Sequence, residues 1–168
     1  EVPLRLVGSE MCIRDRMFKV PAEKSTSSGR AACVTQSDAG TPGDAGSSAN
    51  TSRSLGTNPN NGQTGSQGCM DSADTEDWYE VTITAGKDVD VELTVPASAD
   101  FDLYLIDSSG TYVDGSESVT ALEKVSTSGT SISGSAGTFY IEVLVYSGDG
   151  QYSLRTWTNN TPPRPDLT

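Results

Sequence analysis

The sequence predicts an all-β fold, an antiparallel β-sandwich of jelly-roll-like character. Three observations carry that expectation. Apolar residues are only 34% of the 168-residue chain, but they concentrate between Trp78 and Trp157. There they alternate with polar residues at a period of two, the spacing of a half-buried strand. Clusters of Gly, Ser, Asp and Pro separate the alternating runs as turn signals, and no run carries the 3.6-residue stripe of a helix.

The elements follow in order. WYEVTIT puts Tyr79, Val81 and Ile83 on one face, and Ala85-Gly86 then turns the chain. DVDVELTV places Val89, Val91, Leu93 and Val95 on one side and Asp88, Asp90 and Glu92 on the other, which predicts a sheet with one wet face. PASAD bends the chain into FDLYLID, with Phe101, Leu103 and Leu105 inward. SSGT is a turn, TYV a short continuation, and LEKVS and TSISG are weaker strand candidates. TFYIEVLVY is the strongest strand, with Phe139, Ile141, Val143 and Val145 on one face. SGDG supplies glycine for a tight turn into QYSLRTWT, and the prolines of TPPRP end the pattern, since proline cannot donate to a ladder. Six to eight short strands are expected.

The flanks divide the chain further. Residues 1–30 show no periodicity and are expected to be disordered or foreign; residues 31–70 are a Gly/Ser/Asp-rich loop region attached to the domain; residues 71–158 are the sandwich core; residues 159–168 are a Pro-rich tail or linker. With no initiating Met and no apolar leader, the chain reads as a fragment or a mature piece of a longer protein.

Charge excludes several partners. Residues 1–30 hold six bases and four acids, whereas residues 31–168 hold five bases and 19 acids. Such a surface repels phosphate backbones and anionic membranes, so no nucleic-acid partner is expected. Membrane insertion is not expected either, because no apolar run approaches the about 18 residues a span needs. Histidine is absent, which removes histidine-based acyl transfer and most zinc sites. Asp100 and Asp102 flank Phe101 and point the same way; a paired-carboxylate role is possible chemistry, but a wet sheet face is the simpler account. No catalytic residue is assigned.

Two groupings in the loop region bear on function. Cys33 and Cys69 bracket it, 36 positions apart. A disulfide across that span would remove roughly 4 kcal/mol of chain entropy from the unfolded state and implies an oxidising, exported setting; two reduced thiols in a cytosolic protein is the alternative. Asp38 and Asp44 lie in SDAGTPGDAG, and Asp71, Asp74 and Asp77 in DSADTED just before the first strand. Calcium takes six to eight oxygens from carboxylates, carbonyls and water, and glycine-rich loops turn carbonyls toward an ion readily. The same residues also read as the solvated face of an acidic protein, and their spacing matches no EF-hand.

In sequence order, SDAGTPGDAG, DSADTEDWYEVTITAGKDVDVELTV, ADFDLYLIDSSG and GTFYIEVLVYSGDGQYSLRTW together resemble the bacterial and archaeal pre-peptidase C-terminal domain, over about residues 34–158. The resemblance implies a small β-sandwich accompanying an exported peptidase or other hydrolase, located outside the cell or at its surface. It implies a non-catalytic role in stability, anchoring or substrate recognition, with an upstream catalytic or repeat domain of the same polypeptide as partner. The alternative is a structural or adhesive module of a multidomain surface protein. The related collagen-binding domains bind calcium, and by that likeness Asp74 and Asp77, with Asp44 and less directly Asp38, match the acidic ligands. The linker departs from the collagen-binding pattern, which has glutamates there. A protein or polysaccharide substrate would need an exposed aromatic surface, for which Tyr104, Tyr140, Tyr146 and Trp157 are the candidates; sheet packing is the commoner use of such residues.

The stretch MCIRDR, Met11 to Arg16, resembles letter for letter a peptide encoded by sequencing-adapter DNA. Cys12, Arg14 and Arg16 are therefore left out of every functional assignment.

Overall fold

The computed structural model describes residues 33, 38–40, 43–60 and 66–160. The chain divides after Arg30, and the second unit, Ala31–Thr168, contains all the described residues. The expectations for residues 1–30 and for the proline-rich part of the tail lie outside them.

Nine strands are present among the described residues: β1 (Arg53–Thr57), β2 (Ser66–Met70), β3 (Glu76–Ile83), β4 (Lys87–Thr94), β5 (Asp100–Asp107), β6 (Tyr112–Ser116), β7 (Leu122–Ser126), β8 (Gly137–Ser147) and β9 (Gly150–Asn160). They form two sheets, a five-stranded one ordered β1-β3-β8-β5-β6 and a four-stranded one ordered β2-β9-β4-β7. The only helical pieces among the described residues are single 3-10 turns at Asp38–Gly40 and Ala49–Thr51. None of these helices is long and apolar enough to cross a membrane.

The alternation places the core as the sequence predicts. Tyr79, Val81 and Ile83 from β3, Phe101, Leu103 and Leu105 from β5, and Phe139, Ile141 and Val143 from β8 face Val89, Val91 and Leu93 from β4 and Tyr152 and Leu154 from β9, all buried. Each such side chain contributes about 1.5–3 kcal/mol relative to exposure, so this interior is the main source of stability. The β8–β9 hairpin turns on Gly148 and Gly150, whose φ values of 81° and 133° only glycine adopts without strain.

Four features depart from the sequence expectation. The loop region holds two strands, and β1 pairs with β3 in parallel, so the larger sheet is mixed. This pairing rests on backbone bonds that weakly apolar residues make as well as any others. TSISG is not a strand: residues 131–134 form turns, and only Ile132 packs against the core. Asp88 is not on a wet face. It is 1% exposed, because the turn after β7 folds over it and the Thr127 and Ser133 hydroxyls and the Gly134 N–H donate to its carboxylate at 3.0, 3.1 and 3.0 Å. Asp102 is also buried, with the Tyr104 hydroxyl 3.5 Å away; that hydroxyl donates to Glu117 at 2.8 Å.

Candidate metal centre

The carboxylates of Asp38, Asp44 and Asp77 converge at one end of the sandwich. One oxygen from each lies within 4.8 Å of the other two. The three come from different pieces of chain, and separate local causes position each.

Asp77 is set by β3. The alternation that sends Tyr79 and Val81 inward sends Asp77 inward too, and it is fully buried. The Tyr152 hydroxyl, from β9, donates to Asp77 Oδ2. Tyr152 is in turn 2.6 Å from the Tyr79 hydroxyl, so the two tyrosines and the carboxylate make one buried chain. The Tyr152 ring fits because β2 carries glycine opposite it. A Cβ on Gly68 would lie 2.2 Å from that ring and hydroxyl. The second oxygen, Asp77 Oδ1, is buried with no hydrogen-bond donor among the described residues.

Asp38 is held by the loop. Its own N–H donates to the Gly43 carbonyl at 3.2 Å, and its Oδ2 accepts from the Ala45 N–H at 2.9 Å. The Cys69 backbone N–H is a further donor to the carboxylate. Cys69 and Cys33 are joined in a disulfide with their Cα atoms 5.8 Å apart, so the bond fastens the chain on both sides of this loop. Asp44 is exposed at the mouth; its carbonyl accepts from the Arg53 guanidinium at 2.9 Å, which ties the loop to β1.

Electrostatics make the cluster costly when no cation is present. Burial pushes Asp77 up to about 8, and the Asp38 and Asp74 charges and the neighbouring Asp44 carboxyl add to the rise, while the Tyr152 hydroxyl opposes it. Asp38 is raised as well, first by burial and then by the Asp44 charge, against the Ala45 N–H. Burial also drives the tyrosine hydroxyls up, so Tyr79 and Tyr152 remain neutral donors. Carboxylates crowded in low dielectric are stabilised either by a proton or by a cation.

Of the residues singled out in the sequence, Asp38, Asp44 and Asp77 come together. Asp74 lies outside the three-residue group: it closes a turn with Asp71, whose Oδ1 accepts from the Asp74 N–H at 3.3 Å, and it acts on Asp77 through its charge. Tyr152 and Gly68 were not singled out. Their signal is the hairpin register, which becomes visible only once β2 is recognised as a strand.

The aromatic candidates are split between the two sheets. Tyr104, Tyr140 and Tyr146 alternate with the core residues of the five-stranded sheet and so lie on its outer face. There Tyr104 packs edge-on to Tyr112 at 6.2 Å and Tyr140 tilts against Trp78 at 6.4 Å. Trp157 lies on the four-stranded sheet.

Comparison with known proteins agrees with this architecture. Residues 75–144 match the family model of the bacterial pre-peptidase C-terminal domain. The crystal structure of the pre-peptidase C-terminal domain of a collagenase from Bacillus anthracis superimposes with a TM-score of 0.50 at 20% identity, covering 62% of this chain and 92% of that one. No curated protein matches.

Proposed function

We propose that this chain is a non-catalytic accessory domain of the pre-peptidase C-terminal type, stabilised by calcium bound at Asp38, Asp44 and Asp77, with Asp74 beside them. One observation carries the metal: Asp77 is fully buried, its Oδ1 has no hydrogen-bond donor among the described residues, and one oxygen of its carboxylate lies within 4.8 Å of one from Asp38 and one from Asp44. An all-oxygen set with no nitrogen or sulfur suits a hard cation that tolerates irregular coordination, which favours calcium over zinc or magnesium. The ion's role is structural. It neutralises the crowded charge and links β3 to the loop at Asp38 and Asp44, so binding and ordering of that loop are coupled.

The surrounding roles rest on the family likeness. The domain serves an exported peptidase or other hydrolase, outside the cell or at its surface, in stability, anchoring or recognition of a protein or polysaccharide substrate. The Cys33–Cys69 bond supports export, since such bonds persist in oxidising compartments. The partner is an upstream catalytic or repeat domain of the same polypeptide.

Thermal unfolding in excess calcium and in chelator tests the metal. A higher melting temperature with calcium is expected for the native chain, and the gain should vanish in Asp77→Asn. Equal melting temperatures in the two conditions would overturn the assignment.

A further inference from the structure

The outer face of the four-stranded sheet carries a cleft of about 170 Å³ lined by Trp157, Asp90, Asp114, Lys124 and Ser126. Its composition follows from the register. Trp157 on β9 pairs with Asp90 on β4, and Asp90 pairs with Ser126 on β7, so an indole and a carboxylate lie side by side in one row. Asp114, from β6 of the other sheet, reaches the far end of that row: its Oδ2 accepts from the Ser126 N–H at 2.8 Å.

Both carboxylates are fixed before any ligand arrives. Asp90 accepts from the Ser126 hydroxyl at 2.6 Å and from the Asn159 amide. Asp114 accepts from the Gly115 N–H at 2.9 Å as well as from Ser126. All of these donors are neutral. The nearby cations are engaged in the adjacent row, where Glu92 pairs with Lys124 at 2.9 Å and with Arg155 at 3.8 Å. The row of Trp157, Asp90, Ser126 and Asp114 thus holds two hydrogen-bonded negative charges beside an indole ring; the one cation lining the cleft among the described residues, Lys124, is paired with Glu92.

We infer that this cleft receives an arginine side chain from a protein partner. A guanidinium is planar, stacks on an indole face, and donates in a fork to carboxylates, so it answers every element of the row at once. A lysine ammonium matches the charge but not the planar stack. A neutral sugar matches the ring but leaves the two charges unbalanced.

The test uses the whole chain, labelled with nitrogen-15, titrated with N-acetyl-arginine N-methylamide and followed at the Trp157 indole resonance. A saturable shift is expected there, with the Trp78 indole unmoved. The citrulline analogue, isosteric but neutral, should bind at least tenfold more weakly, and so should arginine amide to Asp114→Asn. Asp90→Asn should act alike if it folds, while Glu92→Gln should retain binding. Absence of a saturable shift, equal binding of the citrulline analogue, or equal binding of a methyl glycoside would overturn the inference.

Discussion

The Tyr152 hydroxyl donates to Asp77 Oδ2 across the interior of the sandwich, joining β9 to the first core strand at the point where the acidic cluster begins. Tyr152→Phe removes that donor and the partner of Tyr79 while keeping the ring. A loss of about 1–3 kcal/mol is expected in denaturant unfolding, with the native strand content retained by circular dichroism.

The metal-free protein should become less stable as pH rises. Asp77 holds its proton up to about 8 in the folded state against 3.8 for the free side chain. Between these values the unfolded chain has released a proton that the fold retains, so stability is fully present below the lower value and is lost as pH climbs toward the upper one. The slope from this one group reaches at most about 1.4 kcal/mol per pH unit. Urea titrations in chelator from pH 4.5 to 8.5 should show the fall, and Asp77→Asn should flatten it. Calcium needs the carboxylates deprotonated, so its stabilising effect should grow over the same window.

Gly68→Ala tests the packing behind the site. The added methyl would meet the Tyr152 ring at 2.2 Å, and neither a buried aromatic nor a paired strand can move aside cheaply. A destabilisation of about 1–3 kcal/mol is expected, together with a weakened response to calcium. An unchanged melting temperature would show that Tyr152 has room the structure does not indicate.

Asp88→Ala should loosen the turn after β7. The carboxylate accepts from two hydroxyls and one backbone N–H of that turn, and the Thr127 hydroxyl also accepts from the Val89 N–H at 3.0 Å. Removing the acceptor is expected to cost about 2–3 kcal/mol and to speed hydrogen exchange at Gly134 and Val89, leaving the β8–β9 hairpin protected.

Much of this was legible because strand alternation is a strong signal wherever one face is apolar. Tyr79, Leu93, Leu103 and Ile141 reach the core from their parity alone. The same parity carried an unread message at Asp77, which shares the inward face with Tyr79 and Val81. Asp88 was misread because parity says which side of a sheet a residue takes, not whether a turn 39 to 46 positions later covers it. β1 and β2 were hidden because RSLGT and SQGCM carry too few apolar residues to alternate: Leu55 and Met70 reach the core without a repeating partner, and the pairing rests on backbone bonds. Residue type and the family likeness group Asp38, Asp44, Asp74 and Asp77, but the convergence of three of them without Asp74 depends on the loop closed by Ala45 and Cys69, which spacing cannot supply.

The Cys33–Cys69 bond has a consequence for the chain's response to proteolysis. A backbone cut anywhere between its two ends leaves two pieces that remain one covalent molecule. After a nick between β1 and β2, Asp38 and Asp44 would stay close to Asp77, since they remain on the same piece as β1 and β1 still pairs with β3. A nicked molecule of this kind would migrate as one band on a non-reducing denaturing gel and as two after reduction.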